Sequence, residues 1–422
     1  MAKPTDWAFH ADDDAVLDAL AKGRQRKSLR EYFGAQAYEQ LSVLAAAAKR
    51  AKKPRGPTVL ILPGIMGSKI GAQRKPPRSA HAGVARRAAS AVLWIDPLQI
   101  AAGGLTALRL PSAGALGAVG VLLFSYARLK LQLEIAGRDA RFHAYDWRLG
   151  VDELGAQLAA RIVAEREPVI LVAHSMGGLV ARVATRILPK RWVRKLIMLG
   201  TPNDGSFASV QALRGTYPFV RWMSRLDVKH SAEHLAAKVF STFPGLYHML
   251  PPARRLKGID LLDPRCWPTD GPAPRGPILE RVAAVRAGLA PVDSRMVHIV
   301  GVNQQTVVGL RRTAAGFEYL IESNGDGTVP LASAKLRNLK CYFVEELHGK
   351  LASNALVIQT IIDLVRRGRT IRLPERWRAR RGPARRIDDA QLRLQSREKI
   401  DWASLTSPER AAILRELDSA RL

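Results

Sequence analysis

The chain is poor in cysteine, in acidic side chains and in long apolar runs, and these shortages argue against several classes of protein. Its two cysteines, Cys266 and Cys341, cannot build the disulfide framework that stabilises small secreted domains. The N-terminal residues lack the basic start, apolar core and small-residue cleavage site of a secretory signal. Zinc-finger spacings, RNA-binding aromatic motifs, helix-turn-helix patterns and internal repeats are also missing. With 422 residues, 47% of them hydrophobic, the sequence predicts a large globular protein, cytoplasmic by default.

One stretch resembles a membrane span. Residues 110–127, LPSAGALGAVGVLLFSYA, contain no charged side chain, but they are barely long enough and include Pro111. The glycines Gly114, Gly117 and Gly120 would line one side of a helix. We predict a buried or interfacial helix here, with a true span and a loop packed on the core as the alternatives.

The shortage of acidic residues leaves a formal net charge of +29, concentrated in basic clusters at 49–55, 73–78 and 366–386. Arginine-rich composition can simply reflect the genome of the source. The last cluster, however, is interrupted by apolar residues such as Ile371 and Trp377, which suits an anionic lipid surface. Nucleic acid attracts cations equally well, but no nucleic-acid-binding motif accompanies the charge. We therefore expect a peripheral contact with an anionic membrane surface and no nucleic-acid partner.

Hydrophobic periodicity and composition divide the chain into three parts. Residues 1–56 have helical periodicity and form an N-terminal helical extension. Residues 57–370 alternate short apolar runs with amphipathic segments, which predicts an α/β domain with a mostly parallel sheet flanked by helices. Within this domain, residues 203–292 contain no strand-like run and are predicted to be an inserted cap. Residues 371–422 form an Arg-rich linker and a helical segment whose start is predicted at Ser407, Pro408 and Glu409. The predicted strands are TVLILP, ARFHAYDW, PVILVAHS, VRKLIMLG, RMVHIVGV and KCYFVEEL.

The stretch LVAHSMGGLV places a serine at a sharp turn. The apolar run from Val169 reads as a buried strand, and the residues after Ser175 have the spacing of an amphipathic helix. A nucleophile elbow needs small residues two before and two after the serine, where Ala173 and Gly177 stand here. A serine hydroxyl is a poor nucleophile until a neighbouring base accepts its proton. Ser175 is therefore a candidate nucleophile, and it requires an acid and a histidine as partners.

Those partners should follow in the order acid, then histidine, each on a loop after a later strand. Asp326 lies in the turn-rich SNGDGTVPL, and His348 lies just beyond the strand in YFVEELHGK. His348 would take the proton of Ser175, and Asp326 would orient and stabilise the imidazolium. Asp146 and Asp204 are alternative acids, but both lie between the wrong elements for this order.

Three other histidines compete with His348. His174 adjoins the serine, but adjacent residues on a strand point to opposite faces, so we expect it to point away. His298 lies inside an apolar strand and is predicted to be a core histidine with its hydrogen bonds satisfied. His143 precedes YDWR and could face either the core or the site.

An ester carbonyl also needs hydrogen-bond donors for the oxyanion that develops on it. The amide after the nucleophile, that of Met176, is the first expected donor. The second should come from the loop after an early strand, and LILPGIMGS is such a loop. Gly64 and Gly67 let this backbone turn inward, so we predict the amide of Ile65 as the second donor.

Several motifs in order resemble the lecithin:cholesterol acyltransferase family of α/β-hydrolases, which includes phospholipid:diacylglycerol acyltransferases and lysosomal phospholipase A2. They are LPGIMGS, LWIDP, YDWR, AHSMGG, TPNDGS, FPGLYHMLP and GDGTVP, and with His348 they span roughly three quarters of the chain. The resemblance implies an α/β-hydrolase fold with a cap, a triad of Ser175, Asp326 and His348, and no metal or cofactor. It also implies substrate contacts at Trp94 and Met66, and structural ion pairs at Asp146 with Arg148 and around Asp204.

These patterns favour a serine-dependent lipid acyl hydrolase or O-acyltransferase, which forms an acyl-enzyme from a lipid ester at a membrane surface. One alternative is a soluble carboxylesterase or thioesterase of the same fold. Another is a catalytically silent, membrane-binding scaffold. The sequence predicts neither the acyl acceptor nor the oligomeric state.

Overall fold

The computed structural model describes residues 7–72, 92–112, 114–314, 316–380, 382–395, 399–402, 404–406, 409–410 and 413. The basic cluster at 73–78 lies outside the described residues, and so does most of the helical segment predicted from Ser407 onward. The described strands are β1 (Val59–Leu62), β2 (Ser68–Ala72), β3 (Val92–Trp94), β4 (Leu116–Val121), β5 (Ala140–Phe142), β6 (Val169–His174), β7 (Val193–Leu199), β8 (Met296–Gly301), β9 (Thr306–Thr313), β10 (Gly316–Glu322), β11 (Lys340–Val344) and β12 (Arg385–Asp388).

Helices connect and flank these strands. In chain order they are α1 (Trp7–His10), α2 (Asp13–Ala21), α3 (Arg26–Phe33), α4 (Ala35–Arg50), α5 (Pro97–Ala101), α6 (Leu123–Ile135), α7 (Val151–Ala164), α8 (Met176–Ile187), α9 (Phe207–Arg214), α10 (Pro218–Leu226), α11 (Ala232–Lys238), α12 (Pro244–Tyr247), α13 (Gly276–Ala287), α14 (Leu331–Ala334), α15 (Ala355–Arg367) and α16 (Asp389–Leu394). Among the described residues, no helix is both long and apolar enough to cross a bilayer.

A six-stranded sheet forms the centre of the molecule, in the order β11-β8-β7-β6-β1-β5. Each of the six apolar runs predicted as strands supplies one of these strands, and every neighbouring pair is parallel. A parallel sheet covered by helices on both faces buries nearly every strand residue, which explains the continuous Val, Ile and Leu runs. The strands all begin at one edge of this sheet, here called the amino edge, and end at the other, the carboxyl edge. The predicted mostly parallel α/β architecture is confirmed.

Two smaller antiparallel sheets, β3-β2-β4 and β12-β10-β9, were not predicted. The first of these sheets shows that the helix predicted for residues 110–127 is wrong, because Leu116–Val121 forms β4 and a helix begins only at Leu123. Glycines disfavour a helix interior, and here they allow close approach. A Cβ atom at Gly120 would lie 2.6 Å from Oδ1 of Asp13.

The N-terminal helices are fastened to this small sheet by a buried ion pair. Nζ of Lys69 lies 2.8 Å from Oδ1 of Asp13 and donates to the carbonyl of Ala11 at 3.0 Å. Oδ2 of Asp13 accepts the amide of Val121 at 2.7 Å. Because Lys69 is almost completely buried, loss of either charge would leave the other one unpaired in the core.

The region between β7 and β8 contains α9 to α13 and lies over the carboxyl edge. Its α9 carries Arg214, which is completely buried and donates from Nε to Oδ2 of Asp389 at 2.9 Å and from Nη2 to Oδ1 of Asp270 at 2.6 Å. Asp389 also accepts the hydroxyl of Tyr319 at 2.8 Å and the amide of Phe317 at 3.2 Å. This buried network joins the helical region to β10 and to the C-terminal segment.

Candidate active site

Ser175 occupies a strained turn between β6 and α8. Its φ of 53° and ψ of −126° are rare for a residue with a side chain. The turn is held closely against its neighbours: a Cβ atom at Gly177 would lie 2.5 Å from the carbonyl oxygen of Pro63, and one at Gly178 would collide with Oγ1 of Thr201. Only glycine fits at these two positions, so the small residue expected two after the serine, Gly177, has a steric cause.

The structure brings Ser175, His348 and Asp326 into one chain of hydrogen bonds. Nε2 of His348 lies 2.9 Å from Oγ of Ser175, and Nδ1 lies 2.7 Å from Oδ2 of Asp326. Oδ1 of Asp326 accepts the amides of Thr328 at 3.0 Å and Val329 at 2.7 Å, which fixes the carboxylate. Since the carboxylate only accepts, Nδ1 of His348 carries the proton and Nε2 is free to accept the serine hydroxyl.

Asp326 reaches the carboxyl edge by an unexpected route. The chain leaves β8 at Gly301, forms the β9–β10 hairpin and returns, so that a Cβ atom at Gly301 would lie 2.6 Å from Cβ of Asp326. His348 follows β11 directly, and its amide donates to the carbonyl of Asp326 at 2.8 Å. The hairpin is therefore an insertion that leaves the acid at the end of a main-sheet strand.

The loop after β1 lies beside the serine. A Cβ atom at Gly64 would approach Cβ of Ser175 to 2.9 Å, and the amide of Gly67 closes the turn onto the carbonyl of Gly64 at 3.0 Å. Ile65 and Met66 line the cavity next to the serine. Met176, the other predicted donor, begins α8, where the backbone N–H groups have no partner within the helix.

His174 does not point away from the site as the alternation rule predicts. The rule applies to extended backbone, and the strained Ser175 that follows interrupts it. Nε2 of His174 lies 3.0 Å from the carbonyl oxygen of His348, and the two rings pack with their centroids 4.8 Å apart. A carbonyl only accepts, so Nε2 of His174 is the protonated nitrogen.

The other nitrogen of His174 continues this contact to the loop after β1. Nδ1 lies 2.9 Å from the hydroxyl of Tyr126, which in turn accepts the amide of Gly64 at 2.9 Å. Burial lowers the pKa of His174 to about 3, so the ring is neutral and Tyr126 donates to Nδ1. The sequence analysis missed this link, although Tyr126 lies next to the end of the apolar 110–127 stretch and needs a partner for its hydroxyl.

Trp94 lies one layer behind the cavity, which corrects the predicted substrate contact at this residue. It is completely buried, and its Nε1 donates to the carbonyl of Met66 at 2.9 Å. Its ring packs edge-on against Trp147, with ring centroids 5.2 Å apart, and at a tilt against Phe219, a cavity residue, with centroids 5.7 Å apart. Trp94 thus supports Met66, which does line the cavity.

The two other competing histidines, His298 and His143, lie outside the chain of contacts. Nε2 of His298 accepts the amide of Thr201 at 2.9 Å in the core, as predicted, and burial lowers the pKa of His298 to about 4. His143, left open by the sequence, does not line the cavity, and burial lowers its pKa to about 4.

Both alternative acids are ion-paired elsewhere. Oδ2 of Asp146 lies 2.6 Å from Nη2 of Arg148, and Oδ2 of Asp204 lies 2.7 Å from Nη2 of Arg255. Asp204 also pairs with Arg254. Neither carboxylate contacts His348, and both pairs tie turns of the backbone together.

A cavity of about 170 Å³ opens beside Ser175. Its wall comes from the loop after β1, from the start of α6, from the helices between β7 and β8, and from the loops that carry Asp326 and His348. Most of the side chains are apolar, including Phe124, Phe219, Leu246 and Met249. The nucleophile thus faces a pocket suited to hydrocarbon.

The sequence matches a family model described as the PGAP1-like alpha/beta domain over residues 157–238, a range that includes Ser175. No curated protein matches the sequence. Among solved structures, the crystal structure of the Tle4–Tli4 complex is similar to this chain with a TM-score of 0.51 and 13% identity, covering 74% of this chain and 98% of that one.

Two crystal structures of the Bacillus licheniformis lipase BlEst2 also match, one of the propeptide form and one of the mature form, each 14% identical. The match to the propeptide form has a TM-score of 0.35 and covers 71% of this chain and 48% of that one. The match to the mature form has a TM-score of 0.34 and covers 70% of this chain and 87% of that one.

The parallel sheet, the flanking helices and the serine turn after a central strand define an α/β-hydrolase fold, as predicted. The finer resemblance to the lecithin:cholesterol acyltransferase family stays a prediction, because the matching family model carries a different description.

Proposed function

We propose that this protein is a serine-dependent acyl hydrolase or acyltransferase that forms an acyl-enzyme on Ser175 from an ester with an apolar acyl group. The observation that carries the proposal is the contact of Ser175 with His348 and of His348 with Asp326 at the wall of an apolar cavity. Lipid esters are the preferred substrates, in keeping with the family resemblance of the motifs.

In the first step, Oγ of Ser175 attacks the ester carbonyl while Nε2 of His348 takes its proton. Asp326 keeps Nδ1 protonated and stabilises the imidazolium. The amides of Met176 and Ile65 donate to the carbonyl oxygen as it becomes negative, and removal of one such donor typically costs about 3 kcal/mol of barrier.

The tetrahedral intermediate then collapses, and His348 gives its proton to the departing alcohol. Water or a second alcohol enters, loses its proton to Nε2 of His348 and attacks the acyl-enzyme, and the proton returns to Ser175 as the product leaves. Hydrolysis and transfer differ only in which acceptor enters, so both remain within the proposal.

The lining of the cavity favours the acyl end of the substrate over a charged head group. Among the described residues that line it, none is lysine or arginine, while aromatic and aliphatic side chains dominate. A phosphate buried there would lack a cation to compensate its charge. The head group or the leaving alcohol should therefore stay at the mouth of the cavity.

The size of the cavity favours a second candidate, a carboxylesterase for short acyl chains. A volume of about 170 Å³ is only slightly larger than the engineered cavities of about 150 Å³ that take up benzene. An acyl segment of about six carbons would fill such a space. Longer chains would have to extend through the mouth or displace the helices over the carboxyl edge.

A fluorophosphonate probe tests the nucleophile. We expect covalent labelling of Ser175, found by mass spectrometry, and its loss in both Ser175→Ala and His348→Ala. The variant Ser353→Ala, outside the cavity, serves as the matched control and should label normally. Failure to label a folded protein, with or without lipid vesicles, would support the catalytically silent scaffold instead.

A series of esters with increasing acyl length separates the two candidates. Faster turnover of long-chain esters in vesicles indicates the lipid enzyme, and turnover that falls beyond short chains indicates the carboxylesterase. Product analysis with and without an alcohol acceptor then distinguishes transfer from hydrolysis.

A further inference from the structure

Arginines from distant parts of the chain meet at the amino edge of the sheet. The amide of Arg55, just before β1, donates to the carbonyl of Gly137 at 3.0 Å, and Nη1 of Arg138 donates to the carbonyl of Arg55 at 3.0 Å. Nη2 of Arg366, at the end of α15, donates to the carbonyl of Ala136 at 2.6 Å. We call the arginines that converge here the basic face: Arg55, Arg138, Arg194, Arg366, Arg367 and Arg369.

The positive charge of the basic face is poorly compensated. Three carboxylates at this edge pair with cations outside the basic face, since Asp139 and Glu165 bind Arg141 and Asp363 binds Arg372. Partial burial, together with the charges of neighbouring arginines, lowers the pKa of Arg138. The face therefore offers an attraction to anions.

Exposed aliphatic side chains lie at the same edge of the sheet. The helices on both faces of the sheet end at the amino edge, and three of them expose an aliphatic residue there: Ile135 at 37%, Val163 at 45% and Ile187 at 53%. Ile371 follows α15 between Arg369 and Arg372 and is 99% exposed. An isoleucine so fully in water is not explained by packing within the chain.

We propose that the basic face binds the surface of a bilayer that contains anionic lipids, with Ile371 inserted among the lipid head groups. The cations alone would suit nucleic acid as well. The aliphatic residues favour lipid, because a bilayer interface accepts cations and hydrocarbon together, whereas a phosphate backbone gains nothing from isoleucine.

This surface fixes the orientation of the molecule on the bilayer. Ser175, Asp326 and His348 all follow the carboxyl ends of strands, and a six-residue strand is about 20 Å long. A protein bound through the basic face therefore holds its cavity away from that bilayer. Its ester substrate must arrive from solution, from a carrier or from a second surface.

Vesicle sedimentation tests the proposal with the full chain. Vesicles of phosphatidylcholine with phosphatidylserine should bind the protein, vesicles of phosphatidylcholine alone should not, and added salt should weaken binding. Replacing three exposed arginines, Arg366→Gln, Arg367→Gln and Arg369→Gln together, should reduce partitioning by about 100-fold, since each cation near an anionic surface contributes about a fivefold factor. Ile371→Ser should reduce it about tenfold.

The matched control removes three exposed cations elsewhere: Arg109→Gln, Lys229→Gln and Lys257→Gln. It should bind within about twofold of the parent protein, because these cations lie outside the proposed surface. Equal losses in the two triple variants would reduce the effect to net charge and overturn the proposal. The proposal would also be overturned if the protein did not bind anionic vesicles but bound duplex DNA, and if Ile371→Ser left that DNA binding unchanged. Unchanged melting temperatures confirm that each variant is folded.

Discussion

The two edges of the central sheet treat charge in opposite ways. At the carboxyl edge, Asp326 is almost completely buried, and both of its oxygens accept hydrogen bonds from His348 and from backbone amides. At the amino edge, Arg366, Arg367 and Arg369 are exposed. Burial forces a charge to take fixed partners, whereas exposure leaves it hydrated and free to act on other molecules.

Because of this difference, the two edges are suited to different functions. A carboxylate held by three hydrogen-bond donors in one geometry is suited to orient a base for a chemical step. Cations in water are suited to attract a charged surface, with little effect on local geometry. Changes at one edge should therefore leave the work of the other edge intact.

The largest effect is expected at the carboxyl edge from Asp326→Asn. The amide would no longer force the proton onto Nδ1 of His348, so the base would adopt the wrong tautomer. We expect kcat for ester hydrolysis to fall by about 10⁴-fold. The matched control is Asp204→Asn, at a carboxylate that pairs with Arg254 and Arg255 instead. A comparable loss in that control would contradict the assignment of the acid.

A smaller loss is expected from His174→Ala, which removes the contact to the backbone of His348. Misplacing a catalytic group by about 1 Å can cost about 100-fold in rate, so we expect kcat to fall 10- to 100-fold with little change in KM. His174→Gln keeps a donor for the same carbonyl and should recover part of the rate. Equal rates in the two variants would show that His174 acts only as core filling.

Sequence reasoning recovered the features that depend on local pattern. The six main strands, the elbow at Ser175 and the partners Asp326 and His348 all follow from apolar runs, small residues and chain order. Prediction from the sequence failed for features that depend on tertiary contacts. β4 pairs with β2 across residues far apart in sequence, and the buried position of Trp94 depends on packing that no single motif reports. The hydrogen bonds of Tyr126 to His174 and Gly64 were missed for the same reason.

The stability of the carboxyl edge should depend on pH through its neutral histidines. Burial lowers the pKa of His174 to about 3 and that of His298 to about 4, below the ordinary value of 6.5. As pH falls from 7 to 5, the unfolded chain binds protons that the folded chain refuses, so the free energy of unfolding decreases by about 2 kcal/mol for each such histidine.

Denaturant unfolding at pH 7 and pH 5 checks this dependence. His298→Gln should reduce the change between the two pH values by about 2 kcal/mol, because one of the refused protonations is removed. His234→Gln, at an exposed histidine, should leave the change as it is. If His298→Gln also leaves it unaltered, the buried ring is not the source of the pH dependence.

The smallest effect is expected when the amino edge is altered and the carboxyl edge is assayed. The triple variant of Arg366, Arg367 and Arg369 should hydrolyse a neutral, soluble ester within about twofold of the parent rate. The two edges lie about 20 Å apart along the strands, more than twice the distance of about 8 Å over which physiological salt screens exposed charges. A tenfold change in kcat would mean that the edges communicate through the sheet or its helices. An unchanged kcat, together with lost vesicle binding, would separate attachment from chemistry, because the same sheet would then support two surfaces that share a scaffold and nothing else.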